Sequence, residues 1–412
     1  MVWPSWIVVV LATQAMHIQL ANAKAVFAHF MVTNSENYTS NDWESDMQLA
    51  KDANIDAFAL NMAWKDGTND RSVKMAFEAA NSVISMIKEY GSNGAHFQHD
   101  GKPFVSTFEG PGSAEDWVDI KAQTGCFFIP DWSSVGAKPA VGLANGVAHG
   151  LFSWSAWPWG NQTMETYTDA SYVQYLEGKS YMMAISPWFY TNLPGYNKNW
   201  IWKGDSLWFD RWQELLGLDP MPEFVQIISW NDYGESHHIG PLYDKAMAAF
   251  EIGKAPFNYA RDYPHDGWRE VLPFLIDLYK TGSASMSKDK VVYWYRPNPA
   301  TSCINGGTTV NTASQLQIEF APTDILEDLF VNGQYVEWDS EPDEDIGPGV
   351  WFGSVPASFG KPKVELIKSD VTSATGVGLA ISTTCAEGTF ANYNAWVGSI
   401  TGTYQIYQAT MM

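Results

Sequence analysis

A chain of 412 residues has room for one large domain and a smaller one. Its formal charge of -22, with 24 Lys and Arg against 46 Asp and Glu, would be repelled by a nucleic-acid backbone or an anionic membrane surface, so neither is expected as a partner. The 20 Trp, 13 of them from Trp43 to Trp230, point either to stacking platforms for flat ligands such as sugar rings or to heavy core packing.

At the N-terminus an apolar run, Trp6 to Thr13, precedes the small-residue site Ala21-Asn22-Ala23. That pattern reads as a secretory signal peptide over residues 1–23 and predicts a secreted protein of the extracellular space or cell wall. Gln14, His17 and Gln19 interrupt the run well short of the about 18 apolar residues that a membrane span needs. Asn37 and Asn161 stand in N-x-S/T sequons, which become glycosylated on such a route.

From residue 25 onward, short apolar runs alternate with amphipathic stretches. Seven runs read as strands: AVFAHFMV (25–32), DAFALNM (56–62), PFVSTFEG (103–110), CFFIPDW (126–132), AHGLFSW (148–154), YMMAISPWF (181–189) and EFVQIISWND (223–232). Between them lie helical patterns. SNDWESDMQLAKDAN carries Trp43, Met47 and Ala50 on one face with Ser40 as N-cap, and DSLWFDRWQELLGLDP ends at Gly217. This alternation predicts an α/β fold of the (β/α)8 barrel type over residues 24–285. One strand is short of the count, because the helical stretches RSVKMAFEAANSV and ISMIKEYG abut at Val83 and Ile84 with no strand between them. After the helix GWREVLPFLIDLYKTG (267–282), TGSASMSKDK reads as a linker. Short alternating runs, with Asn332-Gly333 as a hairpin turn, then predict a β-sandwich over 286–412. Its acidic run DSEPDEDIGPG reads as a solvated loop, with calcium binding as the outside alternative. Cys303 and Cys385 lie in this C-terminal part and are candidates for a disulfide; Cys126 reads as a buried thiol.

In barrels of this kind, function gathers at the carboxyl ends of the strands. Those ends carry His29, Asn61, Glu109, Asp131, Trp154, Trp188 and the pair Asp232 and Glu235. Each has a structural reading too: a satisfied core histidine, a loop cap, a turn carboxylate or an ordinary core aromatic. Together, carboxylates and aromatic faces around one mouth are what glycoside hydrolysis needs, one carboxyl protonating the leaving oxygen and another activating water or attacking. Trp132, Trp157, Trp159, Tyr190, Tyr196 and Trp230 extend the aromatic wall. In QIISWNDYGESHHIGPLY (226–243), Asp232 and Glu235 fall at i and i+3 across a turn that Gly234 permits, followed by His237 and His238. Metal binding is a poor reading, since the stretch holds no HExxH and adjacent histidines diverge on a regular backbone. No G-x-S-x-G and no phosphate-cradling Gly loop with its Lys-Ser/Thr pair occurs.

The runs VFAHFMV, IDAFALNM, GKPFVSTFEG, FFIPDWSS, GLFSWSAWP and SWNDYGESHHIGP resemble the fungal α-1,3-glucanases (mutanases) of glycoside hydrolase family 71, over about residues 25 to 285 and more loosely beyond. The resemblance implies a (β/α)8 barrel with a β-sandwich domain and endo-acting, inverting hydrolysis of α-1,3-glucan without a metal or organic cofactor. It places the essential acids on Asp232 and Glu235, with Glu235 as general acid and Asp232 as base or the reverse. Inversion calls for carboxyls roughly 6.5–9.5 Å apart. His29, Asn61, Asp66, Glu109, Asp131, Trp132, Trp154, Trp157, Trp188, Tyr190, Trp230, His237 and His238 are the expected substrate contacts, Asp66 as the nearest match to a further family acid. The family pattern also has a strand and loop between the helices that abut here at Val83 and Ile84. A barrel lacking that strand would expose two edges, so a catalytically impaired, glucan-binding wall protein is the alternative reading. A hydrolase of another α-linked polysaccharide is a third. A monomer is expected.

Overall fold

The computed structural model describes residues 24–62, 83–158, 162–299, 302, 315–320, 327–332, 334–340, 350–368, 371–385 and 390–410. The leader, Asp66, Trp159, Asn161, Cys303, nearly all of the helical stretch 71–83 and most of the acidic run lie outside them.

Every one of the seven apolar runs contains a strand. β1 (Ala25–Met31) and β2 (Ala57–Asn61) come first, and β3 (Gln98–His99) turns tightly into β4 (Lys102–Val105). β5 (Phe127–Phe128), β6 (Gly150–Ser153) and β7 (Ser180–Ile185) follow. β8 (Tyr190–Leu193) and β9 (Lys198–Ile201) form a hairpin outside the main sheet, and β10 (Phe224–Ile227) ends the series.

β2, β1, β10, β7 and β6 pair in that order, all parallel. Single parallel bridges from Asp131 to Phe152 and to Phe108 carry the order on toward β5 and β4, which pair with each other. Because the first strand lies against the last, the order is that of a ring. Among the described residues no strand pairing joins β2 to β4.

The β4 edge is partly covered by β3. Asp100 (φ 51°) and Gly101 (φ 71°) are both left-handed, the geometry of a two-residue Asp-Gly hairpin. This hairpin, missed in the sequence reading, turns Phe97 and His99 into the sheet interior. The Phe97 ring lies 5.0 Å from Phe27 and 5.6 Å from Phe104, and His99 lies 4.4 Å from Phe127 and 5.0 Å from Phe224.

Strand alternation separates two layers. Ala25, Phe27, Phe127, Ile129, Phe152, Met182, Ala184 and Phe224 form the inner core, while Val26, Ala28, Phe128, Leu151, Met183, Val225 and Ile227 meet the helices. His29, Gln226 and Trp154 continue the inner rows toward the carboxyl ends. The interior is therefore aromatic at the amino end and polar at the other.

Three local expectations change. The first helix, Ser40–Asp52, is capped by Thr39 and not Ser40: the Thr39 N–H and Oγ1 both bond Asp42 Oδ2 at 2.6 Å. The helix expected over 267–282 is two, Asp266–Glu270 and Leu272–Thr281, with Pro273 in the first turn of the second. The linker at 281–290 is mostly strand, since β11 (Ser283–Tyr295) begins at Ser283 and pairs with the C-terminal strand along its whole length.

β12 (Gln315–Phe320), β13 (Glu327–Val331), β14 (Gln334–Tyr335), β15 (Trp338–Ser340), β16 (Trp351–Pro356), β17 (Lys363–Lys368), β18 (Val371–Val377) and β19 (Trp396–Thr410) complete the chain. They form two antiparallel sheets, β15–β16–β12–β11–β19 and β14–β13–β17–β18. Val291, Tyr293 and Tyr295 of β11 share a core with Val364 and Leu366 of β17. The alternate residues Val292 and Trp294 join the core of the parallel-sheet part, where Trp268 lies 6.0 Å from Trp294.

Candidate active site

β10 delivers the chain to the center of the mouth. Gln226 is the last inward residue before the loop, and its amide donates to His29 Nδ1 on β1 at 3.2 Å. Beyond it the loop folds back on itself: Ser229 N–H donates to the His237 carbonyl, and the N–H groups of Ile239 and Gly240 donate to the carbonyls of Ser229 and Trp230. Gly240 is required at this crossing, since a Cβ there would lie 2.6 Å from the Trp230 carbonyl oxygen. Asn231 pins the loop to the end of β1, accepting from Met31 N–H at 2.7 Å and donating to the Met31 carbonyl at 3.1 Å. The left-handed residue of the turn is Ser236 (φ 61°), not Gly234. Gly234 instead gives its carbonyl to the Tyr259 hydroxyl at 2.6 Å.

This loop brings Asp232, Glu235 and His237 together. One ligand atom of each lies within 4.8 Å of the others. Asp232 Oδ1 accepts the Glu235 N–H at 3.1 Å, which holds the two side chains on one turn. Glu235 Oε2 meets His237 Nε2 at 3.0 Å, and Oε1 accepts from Lys198 of β9. Ser229 Oγ joins both limbs, accepting the Asp232 N–H at 2.9 Å and meeting His237 Nδ1 at 2.9 Å. With that N–H occupying an Oγ lone pair, the hydroxyl proton is free to point at Nδ1. Glu235, ionised, can only accept, so His237 Nε2 carries a proton toward it.

Electrostatics split the pair. Burial and then the Glu235 charge push the Asp232 carboxyl up to about 6. Burial acts on Glu235 in the same sense, but the His237 hydrogen bond and the Lys198 ammonium outweigh it and bring Glu235 down to about 2. His29 is lowered to about 3 by burial and by His237, so it stays a neutral imidazole.

The three ligand atoms are the one group of this kind among the described residues, so they are the place to test for a cation. Both Glu235 oxygens are already engaged, one of them by an ammonium, and a divalent ion would have to displace Lys198. The donor set fits acid–base work better than metal binding.

The other expected contacts divide. Trp154 stands edge-on to His29 at 5.1 Å, and Trp157 lies 5.2 Å from His237 with its Nε1 bonded to the Trp188 carbonyl at 2.8 Å. These two line the mouth with His29 and His237. Asn61, Glu109 and Asp131 sit at their strand ends. Glu109 (φ 53°) binds the Ser134 N–H at 2.7 Å, and Asp131, pushed up to about 6 by burial and by Glu109, binds the Ser133 N–H at 3.0 Å.

Trp132, Trp188, Tyr190, Trp230 and His238 are not in the wall. All five are buried, and the four aromatic residues belong to the core shared with the helices. Trp132 packs on Phe128, whose outward parity it shares, and Tyr190 packs between Tyr259 and Tyr393. Trp188 donates to the Tyr393 carbonyl, and Trp230 lies against Phe58. His238 stacks on His265 at 3.9 Å, pointing away from His237. Tyr190 and Trp188 still serve the site through their backbones, since the Tyr190 N–H donates to the Glu235 carbonyl at 3.1 Å.

Ser229, Asn231 and Gln226 lie within the motif, but their roles come only from the folded loop, which the sequence does not show. Lys198 carried no sequence signal, because its contact depends on the hairpin folding over the mouth. Asn37 is exposed, Cys126 is a buried free thiol, and Cys385 is disulfide-bonded.

The profile of Glycosyl hydrolase family 71 matches residues 22–83 and 80–410, in two pieces that meet where the two helical stretches abut. A mutanase of Penicillium rubens is 32% identical over 420 residues, spanning 92% of this chain and 89% of the relative. A glucan endo-1,3-alpha-glucosidase of Schizosaccharomyces pombe is 34% identical over 68% of this chain and 73% of its own length. An ascus wall endo-1,3-alpha-glucanase of the same yeast is 28% identical over 64% and 68%. With the profile covering nearly all of its length, the chain belongs to glycosyl hydrolase family 71.

Proposed function

We propose that this glycoside hydrolase cleaves internal α-1,3-glucosidic bonds of fungal wall α-1,3-glucan, with Asp232 and Glu235 as its acid–base pair. The observation that carries the mechanism is the unequal bonding of two carboxyls on one turn: His237 and the Lys198 ammonium bond Glu235 and hold it low against burial, while Asp232 accepts one backbone N–H and is raised by burial and by Glu235. Glu235 was the first choice as acid in the sequence reading, and this difference supports the reverse assignment. Asp232 holds the proton and gives it to the glycosidic oxygen as the bond to C1 breaks; Glu235, ionised, takes the proton of the water that attacks C1. Each turnover yields one new reducing end and one free 3-hydroxyl, and proton exchange with water resets the pair. His29, Trp154, Trp157 and His237 would border the sugar at the cleaved bond.

Support for the substrate comes from the names of the three relatives. Support for a secreted or wall location comes from the leader-like residues 1–23 and the ascus-wall relative. The same reading takes the parallel-sheet part, 24–285, as a (β/α)8-type barrel lacking one strand between β2 and β4, and 286–412 as a β-sandwich. The boundary falls inside β11, whose two faces serve both cores. It further includes a Cys303–Cys385 disulfide, glycans on Asn37 and Asn161, a monomer, and Asp66 at the mouth.

The spacing of the pair bears on stereochemistry. Its nearest oxygens lie within 4.8 Å, closer than the roughly 6.5–9.5 Å between carboxyls that seats a water for inversion. The anomeric configuration of the first product, read by NMR, distinguishes the two outcomes: a β-anomer means inversion with the pair parted by substrate, an α-anomer retention. The function itself is tested by reducing-sugar release from insoluble α-1,3-glucan. Asp232→Asn and Glu235→Gln should each abolish release, and full activity in either variant overturns the assignment.

A further inference from the structure

Glu235 owes part of its state to a residue far from it in sequence. Lys198 opens β9, and its Nζ bonds Glu235 Oε1 while the Lys198 side chain is 38% exposed and that of Glu235 16%. The hairpin bearing it is tied to the carboxylate loop independently of that charge. Tyr190 N–H donates to the Glu235 carbonyl at 3.1 Å, and Asn192 N–H donates at 3.1 Å to the Tyr259 hydroxyl, which in turn donates to the Gly234 carbonyl. The ammonium is thus held over Glu235 by two attachments, one direct backbone bond and one relayed through the Tyr259 hydroxyl. Its removal leaves those attachments in place.

We infer that Lys198 is a positioning residue for the proposed hydrolysis: its ammonium keeps Glu235 ionised and turned toward His237, and so decides which carboxyl of the pair is base and which is acid. The inference rests on the acid–base reading given above. Without Lys198, two carboxyls on one turn within 4.8 Å compete for one proton, Glu235 keeping only His237 and Asp232 keeping the Glu235 N–H. The groups facing Glu235 are few. Asp232 and His237 come from its own loop, Lys198 from the hairpin with Tyr196 near it, His29 from β1, and the Tyr259 hydroxyl touches Gly234. Lys198 is the one among them that is positively charged throughout the working range. Burial opposes its charge, and Glu235 more than restores it, holding the ammonium above its ordinary range.

The test is the pH dependence of kcat for Lys198→Met and Lys198→Gln, measured on a soluble α-1,3-linked oligosaccharide with Lys198→Arg as the charge-keeping control. In wild type the acid limb should lie at the low end of the accessible range. Both neutral variants should move it upward by about 1–3 pH units, with kcat lowered about tenfold or more and KM little changed. Lys198→Arg should bring the limb back toward wild type. A purely structural lysine would lower Tm or raise KM without moving the limb. If the limb of both neutral variants coincides with that of wild type while wild type turns over normally, the inference is wrong and the acid–base reading stands. Wild type without turnover on any α-1,3-glucan sinks the underlying reading instead. In that case a ¹³C carboxyl titration of Glu235 in wild type and Lys198→Met still decides the Lys198 question.

Discussion

Replacing Ser229 by alanine removes one oxygen atom on which both limbs of the carboxylate loop converge. Ser229 is fully buried, and its Oγ accepts the Asp232 N–H at 2.9 Å while contacting His237 Nδ1 at 2.9 Å. Ser229→Ala leaves both groups without partners where water is excluded from the serine side. Each orphaned group costs about 1–3 kcal/mol, and with relaxation shared between them the variant should lose about 2–4 kcal/mol. For a chain of this length, with unfolding entropy about 2.1 cal/mol/K per residue, that is a fall in Tm of about 2–5 °C. Activity should suffer separately. Asp232 and His237 then lose the shared oxygen that fixes their placement on either side of Glu235, and kcat should drop about 10- to 100-fold, or roughly 1.4–2.7 kcal/mol in the barrier, with KM close to wild type. Reducing-sugar release from α-1,3-glucan gives the loss of kcat, and a thermal melt followed by circular dichroism gives the fall in Tm. Wild-type kcat and an unmoved Tm in a folded Ser229→Ala protein would refute the relay.

The pH profile follows from the pair itself. Asp232 must be protonated to act as acid, so kcat/KM should be level on the acid side of about 6 and fall tenfold per unit above it; Glu235, at about 2, imposes no loss until far lower pH. A rate series on soluble oligosaccharide checks this, and a profile that rises from pH 6 to 8 contradicts the roles. In the helix layer, Arg211 is fully buried and bonds Asp169 at 2.9 Å, Glu214 at 2.6 Å and the Ala184 carbonyl at 2.9 Å. Arg211→Met should cost about 3–5 kcal/mol in a urea melt, because Asp169 stays buried with Tyr181 as its one remaining side-chain partner among the described residues. Phe97→Ala removes a half-buried ring from the amino-end interior and should cost about 1–3 kcal/mol, below the value for a fully buried Phe, with kcat at 20 °C unchanged.

What the sequence revealed, and what it hid, divides along the range of the interaction. The seven strands were legible because each is an apolar run bounded by turn residues. Their lengths were not, because the ladder stops where the chain leaves for the mouth, as at Phe128 in CFFIPDW. Trp132 was placed in the wall although strand alternation puts it on the same side as Phe128, four residues earlier, and so outside the mouth. Trp188, Tyr190 and Trp230 follow strand ends where alternation no longer helps, and tertiary packing decided them. The stretch SASMSKDK read as a linker because it is polar. It is strand nonetheless, paired with β19 alone, while β12 joins only from Val291 onward. A two-stranded ribbon buries too little on either face to require an apolar pattern. The Asp-Gly hairpin at 100–101 was visible and overlooked. Lys198 was not visible at all, since 37 residues separate it from Glu235.

The strand proposed to be missing between β2 and β4 bears on catalysis only through the residues it would touch. β10, which carries the acid–base loop, is paired on both sides, to β1 and to β7, and β1 is paired in turn to β2. Every group that sets the protonation of the pair comes from β1, β10 and its loop, or the β8–β9 hairpin, and none from an edge strand. The aromatic residues at the mouth, Trp154 and Trp157, follow β6, which is held by β7. On the two edges stand Asn61, at the end of β2, and Glu109, after β4. A gap there weakens the sheet by exposing its interior, which β3 and Phe97 partly offset, and it removes support from sugar contacts on that side of the mouth. It does not reach Asp232, Glu235, His237, Ser229 or Lys198. The impairment expected of a purely glucan-binding wall protein, loss of kcat with binding retained, is therefore the opposite of what this arrangement favors. The deficit should fall on Tm and on KM for long chains, with kcat set by an intact pair.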